Sequence, residues 1–325
     1  MISTQEQNLN NKQKDKKVIK CFMKTHAVEE ILRIKNPSTK QFLEMWQQYQ
    51  PFIIEDVATH WDICNKWSND YLIKHCGDNL VPVRFFTKDY FTNYENFAYE
   101  SSDYQRRIQE MTYKEYIKNY VEDMSNESKN DSEIVVSYLP QANFEEHFPE
   151  VIGDVTYPEY LNRKPNVLFW QGFSKKSFCS TTNLHFDGIH NLFCQIRGRK
   201  RILLFPPSDY LSFYPALDNS LSVIENSKVN PDFLDLELFP KFPWQEKIEV
   251  VLQPGEIIYI PPFWWHYITA VDENISLLFF YPLEIGDVFR RKKLLRTILN
   301  IAPHYLYNVI SYRRNLMNFV DFSSS

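Results

Sequence analysis

The second half of the chain is a succession of short, strand-like segments separated by turn residues, and no other feature of the sequence constrains the fold as strongly. Between Glu133 and Tyr281 these segments read EIVVSYL, PNVLFWQGF, TTNLHFD, NLFCQIRG, RKRILLFPP, KIEVVLQPG, EIIYIPP and NISLLFFY. They are rich in β-branched and aromatic residues and are punctuated by Pro, Gly, Asp and Asn. The spacing predicts an all-β barrel or two-sheet jelly roll rather than a βαβ sheet.

Helical patterns dominate the chain before this β region. PSTKQFLEMWQQY carries apolar residues at helical spacing with Ser38 or Thr39 as its cap, and NKWSNDYLIKHCG is predicted to begin near Ser68 and end at Gly77. MTYKEYIKNYVEDM is predicted as a third amphipathic helix, while PFIIEDVA and LVPVRFF are predicted as strands. A helical pattern returns after Pro282.

Composition excludes several classes of protein. The chain has only 7 Gly and contains neither G-x-G-x-x-G nor G-x-x-x-x-G-K-S/T, which argues against nucleotide binding by those routes. A net charge of -5 gives no global attraction to nucleic acid. The 5 Cys are scattered without C-x-x-C spacing, so we expect free thiols in an intracellular, cytoplasmic protein. No apolar run approaches the ~18 to 20 residues that would span a bilayer, so we expect no membrane partner.

Two potential metal ligands stand one residue apart in the stretch HFDGIHN. Side chains two apart on a strand point to the same face, so His185 and Asp187 are expected to project together. His266 follows a Pro-Pro step in QPGEIIYIPPFWWHYI and is the expected third ligand, from a neighbouring strand end. Two imidazoles and one carboxylate suit a non-haem Fe(II) site. The alternative is ordinary core or surface histidines, because H-x-D alone has a high false-positive rate.

A longer stretch carries a family resemblance. TTNLHFDGIHNLFCQIRGRKRILLFPPSDYLSFYP, followed by PGEIIYIPPFWWHYI, resembles the cupin-like JmjC family of 2-oxoglutarate oxygenases, including its asparaginyl-hydroxylase and wybutosine-synthesising tRNA-hydroxylase members. The similarity runs from about Pro51 to Tyr281 and is strongest between Thr181 and His266. It implies a mainly β fold, a double-stranded β-helix or jelly-roll cupin barrel, with flanking N-terminal and C-terminal helices. It also implies Fe(II) as cofactor, with 2-oxoglutarate and O2 as co-substrates.

The resemblance assigns roles to individual residues. It implies that the catalytic iron ligands are His185, Asp187 and His266. For the co-substrate it implies four contacts, which are Tyr138, Thr182, Asn191 and Lys200. A dicarboxylate needs a cation and hydroxyl donors at its far end, because charge-assisted hydrogen bonds are the strong ones.

Each co-substrate assignment has an ordinary alternative. Lys200 lies in RGRKR, and a basic cluster is usually a solvated turn. Tyr138 is one of 20 tyrosines that could pack a barrel, and Thr182 is at home in any strand. Trp170 and the Trp264-Trp265 pair are expected to be packing residues rather than substrate contacts. One departure stands out, since Leu278 occupies the position of an amide that many relatives place beside the co-substrate.

The implied function is hydroxylation of a protein or peptide side chain by an Fe(II)- and 2-oxoglutarate-dependent oxygenase. A tRNA-base hydroxylase, with a landing site in the basic stretch from Arg290 to Arg296, and a lysine demethylase are alternatives within the same family. A metal-binding cupin that acts as an interaction module without catalysis is the alternative from another class. A protein or peptide substrate is preferred over tRNA.

The sequence divides into three parts. Residues 1–18 are polar and are expected to form a disordered tail, because they offer almost nothing to bury. Residues 19–285 are expected to form the JmjC/cupin-like oxygenase domain, and residues 286–325 a C-terminal helical segment that mediates a homodimer. The dimer is predicted from an apolar stripe that exceeds what a free helix exposes. The stripe consists of Leu294, Leu295, Ile298, Leu299, Ile301, Leu306 and Ile310. The alternative is that this stripe packs on its own barrel.

Overall fold

A computed structural model describes residues 30–86, 108–122, 136–175, 178–215, 225–290, 292 and 294–304. The disordered tail predicted for residues 1–18 lies outside these ranges. Strands are the most abundant regular element of the described residues and form two sheets, so the predicted mainly β fold is confirmed.

The strands form one nine-stranded sheet, one four-stranded sheet and a short hairpin. They are β1 Leu32–Lys35, β2 Phe52–Glu55, β3 Leu80–Phe86, β4 Ile108–Thr112, β5 Val136–Asn143, β6 Asn166–Gly172, β7 Ser174–Lys175, β8 Phe178–Cys179, β9 Thr181–His185, β10 His190–Arg197, β11 Lys200–Phe205, β12 Ile248–Leu252, β13 Ile257–Ile260, β14 Trp265–Ala270 and β15 Asn274–Tyr281. The large sheet has the order β1-β2-β13-β10-β15-β6-β5-β3-β4, and the small sheet β12-β11-β14-β9. Every predicted strand is present. The sequence prediction missed β1, β4, the hairpin β7-β8 and β14, although it expected His266 to lie at the end of a neighbouring strand.

The helices are short and lie mainly before the barrel and after it. The α-helices are α1 Thr39–Trp46, α2 Ile63–Lys66, α3 Asn69–Cys76, α4 Tyr113–Tyr116, α5 Phe144–His147 and α6 Ile285–Arg290. The 3-10 turns are Ala58–His60, Pro149–Asp154, Tyr210–Phe213, Pro231–Phe233 and Trp244–Glu246, and Ile117–Glu122 is a π-helix. Both predicted caps are confirmed, because the Ser38 hydroxyl accepts from the Gln41 amide and the Ser68 hydroxyl from the Tyr71 amide.

The helix predicted for MTYKEYIKNYVEDM begins later than predicted, so the prediction is wrong for its first two residues. Met111 and Thr112 belong to β4 and pair with Val81 and Leu80 of β3. The helix begins only afterwards, where the Thr112 hydroxyl accepts from the backbone amide of Glu115. Pairing with β3 gives these residues backbone hydrogen bonds, whereas the N–H groups in the first turn of a helix have no partner within the helix. The strand is therefore favoured here over the helix that the local periodicity predicts.

Strand alternation builds the barrel. On β11, Ile202 and Leu204 face the core between the two sheets, whereas Leu203 and Phe205 face outward against residues of 210–215 and 225–244. The outer face of the large sheet packs on the N-terminal helices in a separate core. The two inner faces therefore enclose one interior, in which side chains from both sheets meet.

One end of this barrel carries the functional residues. There β9 ends at His185, β10 begins at His190 and β13 ends at Ile260. In the small sheet, His266 near the start of β14 pairs with both His185 and Leu204. We call this end the mouth of the barrel.

The C-terminal stripe is partly used within the chain. Helical backbone continues after α6 through residues 294–304. Leu294 is 5% exposed and Ile301 is 9% exposed, and Ile301 packs in the core outside the small sheet. Leu299 remains 60% exposed. Leu306 and Ile310 lie outside the described residues, and the homodimer stays a prediction. Among the described residues there is no helix with the length and apolarity needed to cross a bilayer.

Candidate metal centre and co-substrate pocket

The barrel mouth brings together the three predicted metal ligands. His185 ends β9, Asp187 follows two residues beyond, and His266 pairs with His185 across the small sheet. The Phe263 amide donates to the Asp187 carbonyl at 2.7 Å, which fixes the loop that carries the carboxylate. Ligand atoms of the three side chains all lie within 4.8 Å of one another.

The two imidazoles are oriented by the backbone. Nδ1 of His185 lies 2.8 Å from the Asn183 carbonyl, and Nδ1 of His266 lies 3.0 Å from the Trp264 carbonyl. A carbonyl only accepts, so each Nδ1 carries the proton and each Nε2 keeps a free lone pair. Both Nε2 atoms face Asp187, at 3.9 Å from Oδ1 for His185 and 3.6 Å from Oδ2 for His266.

The electrostatics also suit a cation. Burial, and secondarily the neighbouring His185 imidazole, lowers the pKa of His266 to about 4, so this imidazole is neutral at pH 7. Neutral imidazole and ionised carboxylate are the forms that bind divalent ions. His266 is fully buried, whereas His185 and Asp187 are partly exposed toward the mouth. The donor set therefore fits a divalent ion with one side open to further ligands.

A second cluster lies deeper in the barrel around Lys200, the first residue of β11. Its Nζ lies 3.3 Å from the Tyr138 hydroxyl, which is itself 3.4 Å from the Thr182 hydroxyl. Aromatic rings surround the ammonium group, with ring centroids at 5.1 Å for Phe193 and 5.7 Å for Trp170. Burial lowers the pKa of Lys200 to about 7, and no carboxylate among the described residues pairs with it.

Lys200 is the one fully buried cation of the basic cluster RGRKR, so the solvated-turn alternative is wrong for this residue. It is 1% exposed. Arg199 turns outward to Asp272 at 2.8 Å, and Arg201 turns outward to Asp232 at 2.7 Å. Alternation along β11 sends the middle cation of the cluster inward.

Two further polar groups of the interior lack partners within the described structure. Asn191 is buried on β10, two residues before Phe193, and its Oδ1 has no hydrogen-bond partner. The indole Nε1 of Trp170 is likewise buried and unpartnered, although the ring packs on Tyr138 at 5.2 Å as expected of a packing residue. The sequence offered no signal for this free N–H, because the direction of an indole edge depends on the neighbouring strands.

The residue that departs from the family pattern also lines this interior. Leu278 on β15 is 4% exposed, pairs with Phe193 and packs in the same core as Tyr138 and Trp170. It presents apolar surface where an amide would donate or accept. An unpaired cation, two linked hydroxyls and orphaned polar atoms in one buried space fit a small anionic molecule such as 2-oxoglutarate.

Comparison with known proteins agrees with this architecture. The family described as Cupin-like domain matches residues 38–286. The chain is 30% identical over 258 residues to "JmjC domain-containing protein D" of Dictyostelium discoideum, covering 74% of this chain and 54% of that protein. It is 28% identical over 258 residues to "Lysine-specific demethylase 8" of Xenopus tropicalis, covering 77% and 52%. It is 26% identical over 274 residues to "tRNA wybutosine-synthesizing protein 5" of Mus musculus, covering 78% and 79%.

The share of each protein that a match covers decides whether the match supports a shared domain or the whole protein. The chain spans about half the length of the first two relatives, at 54% and 52%. The family match covers far more than half of this chain and contains every strand from β2 to β15. The chain therefore belongs to the cupin-like family of JmjC domains.

Proposed function

We propose that this protein is an Fe(II)- and 2-oxoglutarate-dependent oxygenase that hydroxylates a side chain of a protein or peptide. The observation that carries the proposal is the placement of the His-Asp-His donor set and the buried cation of Lys200 in one barrel interior. Leu204, the strand partner of His266, lies four residues along β11 from Lys200, or about 13 Å of extended chain. A lysine side chain and a five-carbon dicarboxylate together can span that separation.

The chain's own residues would hold and orient the reactants. His185, Asp187 and His266 would hold the iron, which with 2-oxoglutarate supplies the oxidising chemistry. Lys200 would neutralise the distal carboxylate, and the hydroxyls of Tyr138 and Thr182 would complete its hydrogen bonds. The aromatic walls around Lys200 exclude water, which strengthens each of these polar contacts.

A tRNA-base hydroxylase is the second candidate. The match to the murine tRNA wybutosine-synthesizing protein covers 79% of that protein, a larger share than for the first two relatives. The stretch from Arg290 to Lys293, together with Arg296, is a run of five cations that could contact phosphates. Lysine demethylation is a further alternative, supported by the name of the Xenopus relative.

Succinate formation tests the enzyme proposal and separates its substrates. The purified chain is supplied with Fe(II), 2-oxoglutarate and O2, and succinate is measured with a peptide library and with total tRNA side by side. We expect peptide-stimulated succinate in the wild type and in His60→Ala, which alters an exposed histidine, and none in His266→Ala. Stimulation by tRNA alone would favour the second candidate. Metal and 2-oxoglutarate binding without succinate under either condition would indicate a binding module.

A further inference from the structure

A large open groove runs along the barrel mouth outside the metal centre. Its volume is about 1230 Å³. One wall is the C-terminal helical segment, and the opposite wall is the end of α1 with the residues that follow it. The floor includes the loop after β11 and the turn before β14.

The helical wall presents a regular polar ladder. Lys292, Arg296, Asn300 and His304 are spaced four residues apart, and all of them line the groove. The spacing places them on one helix face with a step of about 6 Å. Leu294 is buried and Ile301 packs on the barrel, so the apolar positions hold the helix. Lys292, Arg296 and Asn300 are exposed, whereas His304 is partly buried against the Tyr210 ring at 5.0 Å.

The two cations of the ladder have no counter-ion within the described part of the chain. Lys292 and Arg296 are exposed, and neither forms an ion pair or hydrogen bond with a described residue. The carboxylate of Asp209, on the floor, caps its own turn by accepting from the Leu211 amide at 3.2 Å. The described lining therefore carries two cations against one carboxylate, which gives the groove a net positive charge.

The groove is linked to the metal centre through one short turn. Pro262 and Trp264 line it, and the Trp264 carbonyl is the group that orients His266. The Trp264 indole donates to the Tyr49 carbonyl at 3.1 Å, which ties this turn to the opposite wall. A chain lying in the groove would contact the same turn that orients His266.

An extended peptide matches the groove better than an RNA strand does. Alternate side chains of an extended peptide are about 6.6 Å apart, close to the step of the ladder, so acidic residues at alternate positions would meet Lys292 and Arg296. The exposed amides of Gln48 and Gln50 on the opposite wall can pair with peptide groups. Single-stranded RNA binding uses open aromatic faces. Tyr210 and Trp264, which line the groove, are each only 4% exposed and offer no such face.

We infer that this groove binds an extended, acidic segment of the substrate polypeptide, next to the residue that enters the barrel. The inference rests on the proposed function and names its substrate class. In this arrangement Lys292 and Arg296 pair with the acidic side chains of the segment, and the glutamine amides of the opposite wall hydrogen-bond its backbone.

Fluorescence anisotropy of the full-length, Mn(II)-loaded chain tests this inference. The probes are a fluorescein-labelled peptide of alternating Glu and Ser, the same peptide with Lys for Glu, and labelled oligouridine. We expect only the acidic peptide to bind, and Lys292→Glu or Arg296→Glu to weaken it about 5- to 10-fold. Lys114→Glu makes the same charge change at an exposed lysine on α4, outside the groove, and should leave binding unchanged. Added salt should weaken the wild-type complex.

The alternative outcomes are distinct. Tighter binding of oligouridine with the same dependence on Lys292 and Arg296 would overturn the peptide assignment in favour of RNA. Equal effects of the groove and control variants, or no binding of the acidic peptide, would overturn it altogether. Calorimetric titration of 2-oxoglutarate into the same samples keeps the two proposals apart. Peptide binding lost with 2-oxoglutarate binding retained removes only the groove assignment, whereas the reverse result supports the groove and removes the proposed function.

Discussion

The ammonium nitrogen of Lys200 lies 3.3 Å from the hydroxyl of Tyr138, inside the barrel and out of contact with water. An isolated charge in such a place is costly, and burial accordingly lowers the pKa of Lys200 to about 7. A lone buried cation destabilises the empty protein and is ready to pair with an anion. The predictions on 2-oxoglutarate binding follow from the cost of burying this charge without a counter-ion.

Replacing Lys200 should act on 2-oxoglutarate and leave the metal alone. Hydrogen bonds to charged groups contribute ~1.5 to 3 kcal/mol, so Lys200→Met should weaken 2-oxoglutarate binding roughly 10- to 150-fold. Thr182→Val should give a smaller loss, because a neutral hydroxyl contributes less than a cation. Calorimetric titration into Mn(II)-loaded protein measures both, with Lys114→Met as control. Equal dissociation constants for wild type and Lys200→Met would mean that the lysine does not contact the ligand.

Binding of 2-oxoglutarate should also depend on pH. Above about pH 7 the buried Lys200 amine is neutral in the empty protein, so pairing with a carboxylate requires uptake of a proton. Affinity should therefore fall as pH rises above 7, by up to about tenfold per pH unit. Titrations in buffers of different ionisation enthalpy count the protons taken up. A dissociation constant that stays flat between about pH 7 and 9 would contradict the role of Lys200.

Metal binding should require the buried histidine of the triad. His266→Ala removes one of three ligands, and we expect Co(II) or Mn(II) affinity to fall by at least about 100-fold, since even outer-shell changes cost 10- to 100-fold. The melting temperature of the metal-free protein should show that the fold is kept. His60→Ala serves as the control at an exposed histidine. Full metal occupancy in His266→Ala would refute the triad.

An amide at position 278 should lower the stability of the empty protein and raise its affinity for 2-oxoglutarate. Leu278→Asn places a polar group in an apolar wall, so the empty protein should lose about 1 to 3 kcal/mol of unfolding free energy. If the amide reaches the co-substrate, 2-oxoglutarate should bind about 2- to 10-fold more tightly. Leu278→Ala opens the same space without an amide and should not tighten binding. Identical affinities for the two variants would show that position 278 lies out of reach.

Acid stability should report on His190, which lies outside the barrel interior, stacks on Trp46 and has its Nδ1 2.8 Å from the Tyr259 hydroxyl. Burial, and secondarily the charge of Arg163, lowers the pKa of His190 from 6.5 to about 3. The unfolded chain therefore binds more protons between these values, so the free energy of unfolding should fall as pH drops from 6.5 toward 3. His190→Gln should flatten this slope in chemical denaturation, whereas the exposed His60→Gln should keep it. Parallel slopes for wild type and His190→Gln would contradict the assignment.

Strand periodicity was enough to predict most of the barrel, because it is a local property of the chain. Apolar residues such as Ile202 and Leu204 alternate with residues of the other face, and the two ligands His185 and Asp187 stand two positions apart. The family resemblance then assigned Lys200 to 2-oxoglutarate binding, whereas composition alone would have placed it in a solvent-exposed turn. Caps such as Ser38 were readable for the same reason, since a cap and its helix lie within three residues.

The sequence by itself thus determined the fold class, the succession of most strands along the chain and the residue types of the metal site. Only the tertiary structure decided which of these residues meet, because contact depends on how distant strands pair. Tyr138 and Lys200 are 62 positions apart and touch only because the two sheets face each other. The free indole N–H of Trp170 and the groove that Lys292 and Arg296 line depend on packing between elements that no local pattern records. Periodicity sets the face on which a side chain lies, and the pairing of remote elements sets what it faces.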